Sequence, residues 1–152
     1  MTPQKLEIKT ALQIGKTPQD VFEAIVDPAK MTNYFISTST GRMEEGKNLV
    51  WRFPEFDEDV SIRVGKMEQD KYISFFWEIN GKELLVEITL ILQKNNSTLL
   101  RISEKSMDND EAGIKWLMEN TAGWANFLDC LKAYLEFGIN LRKGGYDYYK
   151  KS

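Results

Sequence analysis

The acidic side chains best suited to proton transfer are three glutamates on predicted strands, Glu78, Glu87 and Glu104. A glutamate can act as a general acid or base when its surroundings are apolar. Glu87 falls on the polar side of its strand, and Arg63 and Arg101 are candidates to pair across strands with glutamates of this kind. We therefore expect a structural or solvated role for most of these groups. Glu104 is the exception, because it shares the inward side of its strand with apolar residues and is expected to reach the mouth of a cavity.

Composition excludes most other catalytic groups. The chain has no histidine, which rules out Ser-His-Asp and Cys-His nucleophiles and imidazole metal ligands. Its single cysteine, Cys130, allows neither an internal disulfide nor a cysteine-based zinc site. No activating cation flanks this thiol in the sequence, so we expect it to be packed and inert. The sequence therefore predicts no metal, no cofactor and no assigned catalytic residue.

Length and charge narrow the class of protein. A chain of 152 residues fits one domain, spanning 1–152. The net charge of −3 argues against nucleic-acid binding, because that affinity depends on Lys and Arg neutralising phosphates. No apolar run approaches the roughly 18 residues of a membrane span, and the first residues lack the apolar stretch of a signal peptide. We expect a cytoplasmic protein with no membrane span.

The elements that must position these side chains follow from the periodicity of the sequence. Apolar and polar residues alternate over 5–14, which predicts a half-buried strand. Thr17-Pro18 marks the start of a helix, and Asp27-Pro28 ends it and opens a second short one. From 37 to 106, turn residues separate β-branched and aromatic runs, as in an antiparallel meander. Asn80-Gly81 is typical of a type I′ hairpin.

The C-terminal third predicts one long amphipathic helix. Acidic residues precede it, where the helix macrodipole favours negative charge. A helix of about 28 residues would be roughly 40 Å long, enough to cross a whole sheet. We expect it to end at Gly138, and residues 139–152 to form a polar tail with a frayed, solvated end. The predicted apolar stripe of this helix consists of Ile114, Leu117, Thr121, Trp124, Leu128, Leu131 and Leu135.

This order of elements predicts an α+β helix-grip fold, in which a curved antiparallel sheet of about six to seven strands wraps around the long helix. The segment 16–28 resembles the opening helix of the START-like, or SRPBCC, superfamily, and in particular proteins related to the C-terminal domain of the activator of the heat-shock ATPase. The resemblance covers about residues 6–137. Three further segments carry it: Ile73, Phe75 and Trp77 on one strand; Thr98, Leu100 and Ile102 on the next-to-last element; and Gly123-Trp124, Leu128, Leu131, Tyr134 and Leu135 on the last helix.

The resemblance implies several functions, because such folds include lipid carriers, aromatases, cyclases, hormone receptors and chaperone partners. The leading hypothesis is a protein that binds a small apolar or aromatic molecule between the sheet and the long helix. The first alternative is a co-chaperone-like module that binds a protein partner. The second is a cyclase- or aromatase-like enzyme, which the lack of histidine disfavours.

Large and small side chains face each other in this arrangement. Trp77 and Trp124 are bulky, whereas Thr121 and Gly123 on the helix are small, and such a mismatch leaves a gap unless another side chain fills it. Ligand cavities combine an apolar lining with a few polar groups. The predicted lining is Tyr34, Trp51, Phe75, Trp77, Ile88, Leu90, Ile102, Glu104, Leu117, Thr121, Trp124 and Leu128.

Overall fold

Alternation of apolar and polar residues produces a single antiparallel sheet of seven strands in the computed structural model, which describes residues 4–150. Two short helices follow the first strand, and one long helix follows the last, so the α+β helix-grip prediction is confirmed. Residues 1–3 and 151–152 of the predicted domain and its tail lie outside the described range. The elements are β1 (Leu6–Ile14), α1 (Pro18–Val26), α2 (Pro28–Met31), β2 (Thr38–Ser39), β3 (Asn48–Arg52), β4 (Asp59–Glu68), β5 (Tyr72–Ile79), β6 (Lys82–Gln93), β7 (Ser97–Met107) and α3 (Glu111–Phe137).

The strand order is β1-β7-β6-β5-β4-β3-β2, so the first strand pairs with the last one. This order places the middle of β7 between β1 and β6, and its residue Glu104 lies opposite Val86 and Ile8. A register shift interrupts the pairing of β4 with β5 beside Gly65. A Cβ atom at Gly65 would lie 2.6 Å from the Ser74 hydroxyl oxygen, so a larger residue there would require the Ser74 side chain to move. Such irregularities increase local twist and help a sheet to curve.

Turn and cap residues act as the sequence predicts. Asn80 and Gly81 have φ values of 52° and 79°, the two positive values that a type I′ hairpin requires. Helix α1 begins after Thr17, whose side chain accepts a hydrogen bond from the Asp20 amide at 3.2 Å. Helix α3 ends at Gly138, whose φ of 65° suits a left-handed cap. These local signals fix where the elements start and stop.

The face that α3 turns towards the sheet is only partly the predicted one. Its second half buries Trp124, Leu128 and Leu131, as the stripe predicts. Its first half differs, because Ile114 is 47% exposed whereas Trp116, which the stripe omits, is 3% exposed. The cause is polar, because Trp116 and Trp124 both donate hydrogen bonds to the Glu104 carboxylate on β7.

Substitution of Leu128 tests the assigned face of α3. Leu128 is 1% exposed, and truncation of such a side chain to alanine leaves a cavity. We expect Leu128→Ala to lower the free energy of unfolding by about 2–5 kcal/mol in urea melts. Lys115→Ala is the control on the same helix: the Lys115 side chain is 74% exposed, and its loss should change stability by less than about 0.5 kcal/mol. Equal losses in the two variants would contradict this orientation.

Candidate functional site

A fully buried carboxylate lies at the centre of the molecule. Glu104 on β7 is 0% exposed, and four side-chain N–H groups point at its two oxygens. Oε1 accepts hydrogen bonds from Trp124 Nε1 at 2.7 Å and from Asn120 Nδ2 at 3.4 Å. Oε2 accepts hydrogen bonds from Trp77 Nε1 at 3.1 Å and from Trp116 Nε1 at 3.3 Å. We call these five residues the Glu104 cluster.

Helical spacing brings three of the four donors together. Trp116, Asn120 and Trp124 are four residues apart on α3, and residues at this spacing share one helix face. The indole group can only donate a hydrogen bond, so the three indoles match a carboxylate, which only accepts. Charge-assisted hydrogen bonds of this kind offset the cost of taking a charged group out of water. The cluster therefore fixes the rotation of α3 over the sheet.

The structure encloses Glu104, whereas the sequence pattern predicts it at a cavity mouth. Each of its oxygens already accepts two hydrogen bonds, which leaves the carboxylate poorly placed to take a proton from a substrate. The Glu104 cluster can hold three indole rings in fixed positions, with a negative charge next to them. It offers little for general acid–base catalysis.

Most of the predicted cavity lining lies in the hydrophobic core. Tyr34 is 1% exposed, and its hydroxyl donates to the Ala24 carbonyl oxygen at 2.7 Å. Burial raises the pKa of the Tyr34 phenol well above its usual value. Leu117 and Thr121 are half-buried, and the Thr121 hydroxyl donates to the Leu117 carbonyl oxygen within the helix. The other core members of the predicted set are Trp51, Phe75, Ile88, Leu90, Ile102 and Leu128.

Trp77 and Trp124, the two remaining members of the predicted set, line a groove of about 660 Å³ beside α3. Their ring centroids are 5.6 Å apart. The groove is open to solvent, since its outer lining includes Phe56, which is 44% exposed, and Tyr148, which is 74% exposed. Its complete lining, hereafter the aromatic groove, is Phe35, Phe53, Phe56, Trp77, Glu119, Asn120, Ala122, Gly123, Trp124, Arg142, Tyr146, Tyr148 and Tyr149.

The segment after α3 forms one wall of this groove, although its composition predicts a frayed, solvated end. Arg142 makes two hydrogen bonds to Glu55, from Nε at 3.0 Å and from Nη2 at 3.1 Å. The two side chains are only 12% and 5% exposed, so this ion pair is largely shielded from water. The guanidinium carbon also lies 4.7 Å from the centroid of the Tyr146 ring. Arg142 thereby holds the segment against the loop between β3 and β4.

Other polar groups are explained by local pairing. Glu87 accepts a hydrogen bond from Tyr72 at 2.6 Å and pairs with Lys105 at 3.1 Å, so its partner is neither Arg63 nor Arg101. The hydrogen bond from Tyr72 lowers the pKa of Glu87, and burial together with Glu87 raises the pKa of Tyr72 to about 12.

Cys130 is buried, and burial raises the pKa of its thiol, which does not favour a nucleophile. Within the described range, 4–150, no cluster of acidic, histidine or cysteine side chains could hold a metal ion. Across the same residues, no helix has the length and apolar composition needed to cross a membrane.

Comparison with known proteins assigns the chain to a protein family. The family model described as "Activator of Hsp90 ATPase homolog 1-like protein" matches residues 16–136. The chain belongs to this family. The resemblance noted in the sequence is thereby confirmed. None of the curated proteins matches the sequence significantly.

Several solved structures share the fold. The protein SSP2350 from Staphylococcus saprophyticus is 31% identical, with a TM-score of 0.80 over 90% of this chain and 96% of that one. DynU16, a putative protein in the dynemicin biosynthetic locus, is 22% identical, with a TM-score of 0.77 over 88% of this chain and 48% of that one. Aha1 from Colwellia psychrerythraea, solved as a dimer, is 18% identical, with a TM-score of 0.75 over 88% of this chain and 98% of that one. The last two matches show the fold alone.

The predicted set includes only Trp77 and Trp124 of the groove lining, and it also lacks the polar contacts that shape the groove. Trp116 and Asn120 were detectable, because together with Trp124 they place three N–H donors on one helix face opposite the inward Glu104. Glu55 and Arg142 left no comparable signal, since they are 87 residues apart and lie in irregular segments. Only the folded chain shows that they pair.

Substitution of Glu55 tests whether the ion pair holds the C-terminal segment. We expect Glu55→Gln to free this segment and to increase the rate of trypsin cleavage after Lys143, because loss of one partner leaves the shielded Arg142 charge uncompensated. Glu58→Gln in the same loop is the control: Glu58 is exposed, and its substitution should leave the rate unchanged. Equal cleavage rates in wild-type protein and Glu55→Gln would show that other contacts hold the segment.

Proposed function

We propose that this protein binds a small aromatic or apolar molecule in the aromatic groove. The observation that carries the proposal is the groove itself, which has about 660 Å³ of space and a lining dominated by aromatic rings. Sites for small molecules typically have about 300–1,000 Å³ and a mainly apolar lining with a few polar groups. Relative to the sequence hypothesis, the proposed site is displaced from the interior to the side of α3, where Trp77 and Trp124 form its inner wall.

Two small residues of α3 support this location. Ala122 and Gly123 lie on the groove, and a Cβ atom added at Gly123 would meet no other atom within 4 Å. Glycine in the middle of a helix costs about 1 kcal/mol relative to alanine, and close packing does not require glycine at this position. Space for a ligand beside Trp124 is the reason we propose for it.

A second candidate is the co-chaperone-like binding of a protein partner. The family description favours it, as does a run of exposed apolar residues at the end of α3. Phe137, Ile139 and Leu141 are 67%, 52% and 51% exposed, respectively. Exposed apolar surface of this kind often marks a contact site for another protein. A cyclase-like activity receives less support, because the inward carboxylate is fully hydrogen-bonded.

Filling the groove tests the proposed function. We expect 1-naphthalenemethanol, an uncharged aromatic probe, to quench tryptophan fluorescence with at least micromolar affinity, which corresponds to about −8 kcal/mol. Gly123→Leu should weaken this binding at least about tenfold, or about 1.4 kcal/mol, because its side chain would occupy the open space next to Trp124.

Asp129→Leu is the matched control, since Asp129 is exposed on the same helix and does not line the groove. Circular dichroism melts would confirm that both variants fold. Unchanged affinity in a folded Gly123→Leu variant would refute binding in the aromatic groove. Failure of the wild-type protein to bind the probe would leave the protein-partner candidate as the better supported one.

A further inference from the structure

We propose that the aromatic groove selects aromatic ligands that carry a positive charge, and that Glu104 sets this preference although it does not touch the ligand. This inference rests on the proposed function and adds the chemical class of the ligand to it. It depends on the position of one buried charge relative to the rings that line the groove.

The negative charge lies directly behind the inner wall. Trp77 and Trp124 line the groove, and both donate their indole N–H to the Glu104 carboxylate, at 3.1 and 2.7 Å. The carboxylate is therefore separated from the groove by no more than the width of an indole ring. Because Glu104 has no contact with water, little solvent screens its field in that direction.

Hydrogen bonding to the carboxylate also changes the rings. Donation of the N–H to an anion polarises the indole and increases the electron density of its face. Tryptophan is already the ring that attracts cations most strongly, and the attraction grows where water is excluded. Two polarised indoles with centroids 5.6 Å apart form a wall that favours a cation over a neutral group.

The other charged groups of the groove do not cancel this effect. Arg142 is the cation of the lining, and its charge is offset by the two hydrogen bonds to Glu55. Glu119, at the rim, is 63% exposed and pairs with Lys115 on the same helix at 4.0 Å, so its charge is partly balanced. Among the described residues, Glu104 is therefore the carboxylate behind the groove wall that no cation pairs with.

Part of the aromatic lining already surrounds a cation. The Arg142 guanidinium carbon lies 5.7 Å from the centroid of Phe35, 5.5 Å from that of Phe53 and 4.7 Å from that of Tyr146. These rings are thus occupied, whereas Trp77 and Trp124 contact no cation among the described residues. We therefore assign the binding site for the positive group of a ligand to the rings of Trp77 and Trp124.

Three probes with the same naphthalene ring test this assignment. They are 1-naphthylmethylamine, which is an ammonium ion at neutral pH, 1-naphthalenemethanol, which is neutral, and 1-naphthoate, which is an anion. We expect the ammonium probe to bind at least about tenfold more tightly than the anion, which corresponds to about 1.4 kcal/mol. Glu104→Gln, which removes the charge, should reduce this ratio to about threefold or less, and Glu119→Gln should reduce it only slightly.

Two controls separate the buried charge from the overall charge of the chain. Glu68→Gln removes an exposed carboxylate that does not line the groove, and it should leave the ratio unchanged. At about 1 M NaCl the screening length is about 3 Å, so a preference caused by the net charge of −3 should vanish. A preference caused by Glu104 should persist, because the charge and the wall are separated by protein rather than by water.

The outcomes distinguish the two proposals. Failure of all three probes to bind would overturn the proposed function and this inference with it. Equal affinities, or a preference that disappears in high salt, would overturn the inference while the proposed function stands. If Glu104→Gln does not fold, the salt dependence of the wild-type ratio decides the question, because it needs no substitution at that position.

Discussion

A carboxylate that is shut off from water must be given hydrogen-bond donors by the protein, and much of this structure follows from that requirement. Burying a charged group without partners is very costly, and removing one partner of a buried charge leaves the rest uncompensated. Glu104 receives four donors, three of them indole groups from β5 and α3. The position of the long helix, the orientation of the tryptophans and the inner wall of the groove all depend on this one side chain.

The Glu104 cluster explains why α3 does not simply turn its most apolar stripe towards the sheet. Hydrophobic burial has no preferred direction, so an apolar stripe sets the rotation of a helix only approximately. Hydrogen bonds do have a preferred direction, and those of Trp116 and Trp124 fix one rotation, even though it leaves Ile114 half-exposed. The hydrogen bonds to Glu104 also hold Trp77 and Trp124, two of the side chains that line the groove. Stability of the core and shape of the proposed site are therefore coupled through one ionisable group.

Local signals made most of the fold predictable, and non-local polar contacts account for what was not. The Asn80-Gly81 turn, the Thr17 cap and the end of α3 at Gly138 depend on neighbouring residues and were predicted correctly. The sequence predicted the wrong buried face for the first half of α3. The spacing of apolar residues carries no information about an indole that donates a hydrogen bond to a carboxylate on another element. The pairing of Glu55 with Arg142 depends on how two irregular segments meet, which composition and spacing do not specify.

The ¹H–¹⁵N spectrum of the tryptophan side chains tests most directly whether the Glu104 carboxylate binds three indole N–H groups. The Trp51 indole N–H is buried without a partner among the described residues and serves as the internal reference. We expect the N–H signals of Trp77, Trp116 and Trp124 to lie downfield of the Trp51 signal, and to move upfield in Glu104→Gln while the Trp51 signal stays in place. Four indole signals at similar positions, or no response of the three to the substitution, would contradict the central role of the Glu104 carboxylate.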